Sequence, residues 1–84
     1  MYKIEFSPKA RKQLKGIKKK DSKYDVALVI EELKTDPSIG KPLTRELLGQ
    51  MSYKIGNYRV IYKINKKDKL VYIVKIGPRP TVYD

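Results

Sequence analysis

From residue 51 onward, apolar and polar positions alternate in three stretches, near 51–55, 58–64 and 70–76. Gly56-Asn57 and Asn65-Lys66-Lys67-Asp68 separate them. Period-two alternation marks strands with one buried face, and turns this short join antiparallel neighbours. The final third of the chain is therefore an antiparallel meander whose apolar face needs a covering layer. At 84 residues the chain buries only about 60% of the surface its unfolded form exposes. One sheet and one helical layer nearly exhaust such a core, so residues 1–84 are read as a single small domain.

The first half supplies that layer. Tyr2-Lys3-Ile4-Glu5-Phe6 alternates strictly and predicts an N-terminal strand burying Tyr2, Ile4 and Phe6. Ser7 is placed to cap a helix whose first position is Pro8, where the missing N–H costs nothing. Ala10, Leu14 and Ile17 form its narrow apolar stripe, and Lys9, Arg11, Lys12, Lys15, Lys18, Lys19 and Lys20 its polar face. A second helix is expected from Asp21 or Ser22, with Ser22 and Asp25 arranged like a capping box, ending before Pro37. Its apolar face is read as Tyr24, Ala27, Leu28, Val29 or Ile30, and Leu33. Residues 36–50 connect to the meander, with Leu43, Leu47 and Leu48 as anchors. The expected architecture is α+β, a helical hairpin packed on an antiparallel sheet in the order β-α-α-β-β-β.

Composition narrows the chemistry. The chain has no cysteine and no histidine, which removes disulfides, thiolate chemistry, the usual zinc ligands and the usual neutral-pH base. No apolar run approaches the roughly 20 residues that cross a bilayer, and the start lacks a secretory pattern, so a cytoplasmic location without membrane contact is expected. Twenty Lys and Arg against nine Asp and Glu give a net charge of +11. Such a surface repels itself unless a polyanion or an acidic partner neutralises it, and nucleic acid is the first candidate. The cations of the first helix are the expected RNA-docking surface.

Alternation places Arg59 on the sheet face opposite Tyr58, Val60 and Tyr62. Gly77-Pro78 is expected to end the last strand just before Arg79, whose side chain is then placed to meet a ligand. Lys54, Arg59, Arg79 and the near-terminal Tyr83 make a candidate anion site. Each alone also fits ordinary solvated polarity, and Tyr53, Tyr58, Tyr62 and Tyr72 are read as sheet-packing residues rather than base-stacking platforms.

The order of elements, with "YKIGNYRVIYKI" followed by "VYIVKIGPRPTVY", resembles the RelE branch of the RelE/ParE toxin superfamily over essentially the whole chain. The resemblance implies a toxin that enters the ribosomal decoding site and cuts messenger RNA there. It also implies an acidic, partly disordered RelB-type antitoxin that wraps the basic surface. Lys54 matches a cationic strand position of that site, Arg59 the arginine of the "YR" strand, and Arg79 the arginine after the last strand's glycine. Tyr83 matches the C-terminal tyrosine of ribonucleolytic members. The chain departs from relatives with two basic residues around Lys54, since Ser52 or Gly56 stands at the partner position, and its Arg79–Tyr83 spacing is short.

Cleavage by the RNA's own 2′-hydroxyl needs a base, positive charge for the phosphorane, and an acid for the leaving 5′-oxygen. Without histidine, a lysine or a tyrosine must serve as base, while arginine offers bidentate charge stabilisation. The assignment is Lys54 or Tyr83 as base, Arg59 as phosphate clamp, and Arg79 as transition-state stabiliser and proton relay, with no cofactor and no metal. Ribosome, messenger RNA and antitoxin are the expected partners, with a monomeric free toxin. A gyrase-directed ParE-like toxin and a non-catalytic basic RNA-binding module remain the alternatives.

Overall fold

The computed structural model describes residues 1–43 and 49–78. Five strands, β1 (Lys3–Phe6), β2 (Lys41–Pro42), β3 (Met51–Ile55), β4 (Tyr58–Asn65) and β5 (Leu70–Pro78), form one sheet in the order β1-β5-β4-β3-β2. Helices α1 (Pro8–Gly16) and α2 (Lys20–Thr35) cover one face, and a 3-10 turn at Pro37–Ile39 leads from α2 into β2. The expected α+β architecture is present. The meander is antiparallel, β1 lies parallel to β5, and the connecting segment contributes the two-residue β2.

The covered face joins Val60, Tyr62, Val71, Ile73 and Ile76 to Ala10, Ile17, Val26, Val29, Ile30 and Leu33, with Tyr2, Ile4 and Phe6 packed at its margin. Ile73 and Ile76 are three residues apart, a spacing that strict alternation forbids for one face. The β4-β5 register slips between Ile61 and Tyr62, so Ile61 faces Lys75 and Tyr62 faces Ile73. Val74 is the extra residue of this bulge, which returns Ile76 to the core side.

Side chains of α1 satisfy β5 where β1 has ended. Ser7 caps α1 as expected, its Oγ accepting from Ala10 N–H at 2.9 Å while donating to the Val74 carbonyl at 2.7 Å. Gln13 Oε1 accepts from Ile76 N–H at 2.8 Å. Gln13→Ala leaves that buried donor without its acceptor and is expected to cost about 1–2 kcal/mol. Urea unfolding checks this, with Gln13→Glu, which keeps an acceptor, staying near the parent.

Three local expectations need correction. α1 stops at Gly16, so Lys18 and Lys19 lie in the interhelix link and Lys20 opens α2; none of the three extends the α1 face. α2 starts before the expected capping box, with Lys19 as N-cap, no side-chain cap, and the Lys19 carbonyl accepting from Lys23 N–H at 3.0 Å. Ser22 thus falls inside the first turn. The buried face of α2 is Val26, Val29, Ile30 and Leu33, whereas Tyr24 is 66% and Leu28 45% exposed. Leu43 is half-buried, and Leu47 and Leu48 lie outside the described residues.

Candidate functional site

Lys54 and Arg59 are direct cross-strand partners on β3 and β4, beside the hairpin turn at Gly56-Asn57. Gly56 adopts φ +56°, a left-handed conformation that glycine takes without the strain a Cβ brings. The pairing puts both cations on the sheet face away from the helices. Arg59 lies beside Gly77 of β5, which adds no side chain, and its Nη1 donates to Ser52 Oγ at 3.1 Å. Ser52, buried on β3, pairs in turn with Lys41 of β2.

Ile39, Gly40, Lys41, Ser52, Lys54 and Arg59 line one open hollow of about 320 Å³. Cations from three different strands border it, and no carboxylate among the described residues lines it. A second lysine, Lys41, borders the hollow from β2, while Ser52 or Gly56 stands at the position beside Lys54 where relatives carry a basic residue. A short anionic group, above all a phosphate, is the ligand such a hollow suits, with Arg59 offering a planar donor fork and the lysines point charges.

A core tyrosine holds the rim in place. Tyr62 is fully buried, and its hydroxyl donates to the Pro37 carbonyl at 2.6 Å and accepts from Gly40 N–H at 3.0 Å. Burial pushes the phenol above its ordinary pKa, so it retains the proton it donates. Asp36 fixes the preceding turn, its Oδ1 accepting from Ser38 Oγ at 2.6 Å and from Ser38 N–H at 3.1 Å. Those two bonds, the hydroxyl's first, hold the Asp36 carboxyl below its usual value. Gly40 approaches the Tyr62 hydroxyl and the Ser52 carbonyl so closely that a Cβ would collide with both. Lys41, Gly40 and Tyr62 were missed from sequence, because their roles depend on contacts 11 to 25 residues apart along the chain.

Arg79 and Tyr83 lie outside the described residues, and β5 extends to Pro78, two residues beyond the strand expected near 70–76. The basic residues of α1 form a separate surface. Lys9, Arg11, Lys12 and Lys15 are exposed, and the last three border a hollow of about 390 Å³ with Phe6 and Pro8. That hollow belongs to the helical layer, across the sheet from Lys54 and Arg59. Between described residues the one ion pair is Lys34 with Glu31, at 3.1 Å on the surface.

A two-helix layer thus covers one face of the sheet, and the cationic hollow lies on the open face. Residues 4–83 match the family described as the ParE toxin of type II toxin–antitoxin systems. Toxin RelG of Mycobacterium tuberculosis (strain ATCC 25618 / H37Rv) is 31% identical over 83 residues, covering 98% of this chain and 95% of that protein. The toxin–antitoxin complex RelBE2 of the same species contains a chain with TM-score 0.76 and 32% identity, over 93% of this chain and 98% of that one. The archaeal RelE-RelB complex from Pyrococcus horikoshii OT3 gives TM-score 0.76 at 26% identity, over 96% and 98%. The chain belongs to the RelE/ParE superfamily of type II toxin–antitoxin toxins.

Proposed function

We propose that this toxin is a cytoplasmic endoribonuclease that cuts messenger RNA in the ribosomal decoding site. The observation that carries the reading is the convergence of Lys41, Lys54 and Arg59, cations from three strands, on one hollow. Arg59 clamps the scissile phosphate, and Lys54 or Tyr83 takes the proton from the 2′-hydroxyl as its oxygen bonds to phosphorus. The P–O5′ bond breaks, leaving a 2′,3′-cyclic phosphate and a 5′-hydroxyl. Arg79 stabilises the phosphorane and relays a proton to the leaving oxygen. Expressing the protein and mapping transcript ends tests this, with 2′,3′-cyclic phosphate or 3′-phosphate ends expected on ribosome-bound messages. The matching family's description as ParE favours one other reading, a gyrase-directed toxin. Inhibited supercoiling with intact transcripts establishes that alternative, and RNA binding without breaks establishes a non-catalytic module.

The exposed α1 cations are read as the docking surface for ribosomal RNA. Reversing Lys9, Arg11, Lys12 and Lys15 to glutamate is expected to weaken ribosome association and flatten its salt dependence, since fewer counterions are released on binding. Unchanged association over a salt series returns that helix to a solvated face. The cationic surface also suits an acidic antitoxin, and the solved relatives in complex with antitoxins support such a partner here. A complex that keeps full cleavage activity removes inhibition from this reading.

A further inference from the structure

The open sheet face carries a second hollow, about 590 Å³, lined by Lys63, Ile64, Asn65, Lys66, Leu70 and Tyr72. Tyr72 pairs with Lys63 across β4-β5, and the bulge preserves the face on which Arg59 lies at the other end of β4. This ring lies half-buried on the open face, leaving part of it accessible. Lys63 and Lys66 flank it, and Lys3 pairs with Leu70 at its far margin. Glu5, the β1 partner of Tyr72, is the carboxylate on this part of the face, while Asp68 in the adjoining turn is bonded to the Asn65 side chain at 3.0 Å.

We propose that this hollow holds an unpaired base of single-stranded RNA against the Tyr72 ring, on the same strand of RNA whose phosphate enters the Arg59 hollow. The inference rests on the RNA-cleaving reading and adds a second contact to it. Arg59 and Lys63 are four residues apart on β4, about 13 Å at a strand's rise, within reach of a short extended oligonucleotide. Cations flank an aromatic face here, which is how single-strand-binding surfaces hold successive bases without reading sequence. An amphipathic peptide helix needs a longer apolar ridge than Leu70 and Tyr72 provide, Ile64 being packed against the core, so RNA is favoured over an acidic peptide.

The test measures binding of a fluorescent 2′-O-methyl oligonucleotide of about eight nucleotides, a length within the span of single-strand-binding domains. The methyl group blocks attack, which separates binding from cleavage. Tyr72→Phe should bind like the parent, and Tyr72→Leu should lose about tenfold or more, within the range that base–aromatic stacking shows. Walking one abasic unit along the strand should find a position that weakens the parent equally but leaves Tyr72→Leu unchanged. Equal abasic losses in both proteins, or full RNA affinity in Tyr72→Leu, overturn the inference, the latter leaving the hollow to a peptide. If transcripts are still cut, the cleavage reading survives that failure. If Tyr72 behaves as expected while ribosome-bound transcripts stay intact, the cleavage reading fails alone. Absence of binding by the parent overturns the inference, and transcript mapping alone then decides the cleavage reading.

Discussion

Arg59→Ala is expected to slow cutting of ribosome-bound messenger by about 100-fold or more, the scale seen when one preorganised charge stabiliser is removed. Arg59 is the central cation of the hollow, paired across strands with Lys54 and bonded through Nη1 to Ser52. Arg59→Lys should recover only part of the rate, because an ammonium keeps the charge but not the planar fork. Ribosome association should change little if the α1 cations, on the other side of the sheet, carry the docking. Arg79→Ala carries the same expectation from the role proposed for it. Single-turnover cleavage beside a ribosome-binding assay separates the roles. Equal losses in both assays make Arg59 a docking residue, and normal cleavage puts the active site elsewhere.

What sequence revealed was local in origin. Alternation gave the strands, Gly56-Asn57 gave the hairpin, and together they placed Lys54 and Arg59 on one face. Ser7-Pro8 gave the start of α1 because cap and proline act within one turn. α2 was misread because apolar residues surround much of its circumference: Tyr24, Val26, Ala27, Leu28, Val29, Ile30 and Leu33. Periodicity then admits several faces, and packing against β1, β3 and β4 selects the one through Val26, Val29, Ile30 and Leu33. The bulge at Val74 was equally hidden, since alternation assigns Ile76 to the wrong side of Ile73 unless one residue is known to be extra. The site divides likewise. The Lys54–Arg59 pair is set by a single hairpin, whereas Lys41 reaches the hollow through its β2–β3 pairing with Ser52 and the Tyr62 anchor of the preceding turn.

That anchor gives the largest expected effect on stability. Gly40 has an extended backbone, φ −79° and ψ 177°, so any residue could adopt its conformation and space alone decides the outcome. An added Cβ would meet the Tyr62 hydroxyl and lie 2.9 Å from the Ser52 carbonyl oxygen, a backbone atom that cannot swing away. Gly40→Ala must therefore lift the segment off β3 and strain the hydrogen bonds by which Tyr62 holds Pro37 and Gly40. The expected cost is about 2–3 kcal/mol, in the upper range for overpacking. For a domain of this size that lowers the melting midpoint by roughly 10–20 °C. Tyr62→Phe alone also destabilises, by leaving the Pro37 carbonyl and the Gly40 N–H without their partner. In combination the two should cost less than their sum, because removing the hydroxyl clears part of the space the new methyl needs. Thermal unfolding of the four proteins in that cycle checks the argument. Strict additivity would mean that Gly40 and Tyr62 do not compete for the same space, and that something other than this contact holds β2 and Lys41 beside Arg59.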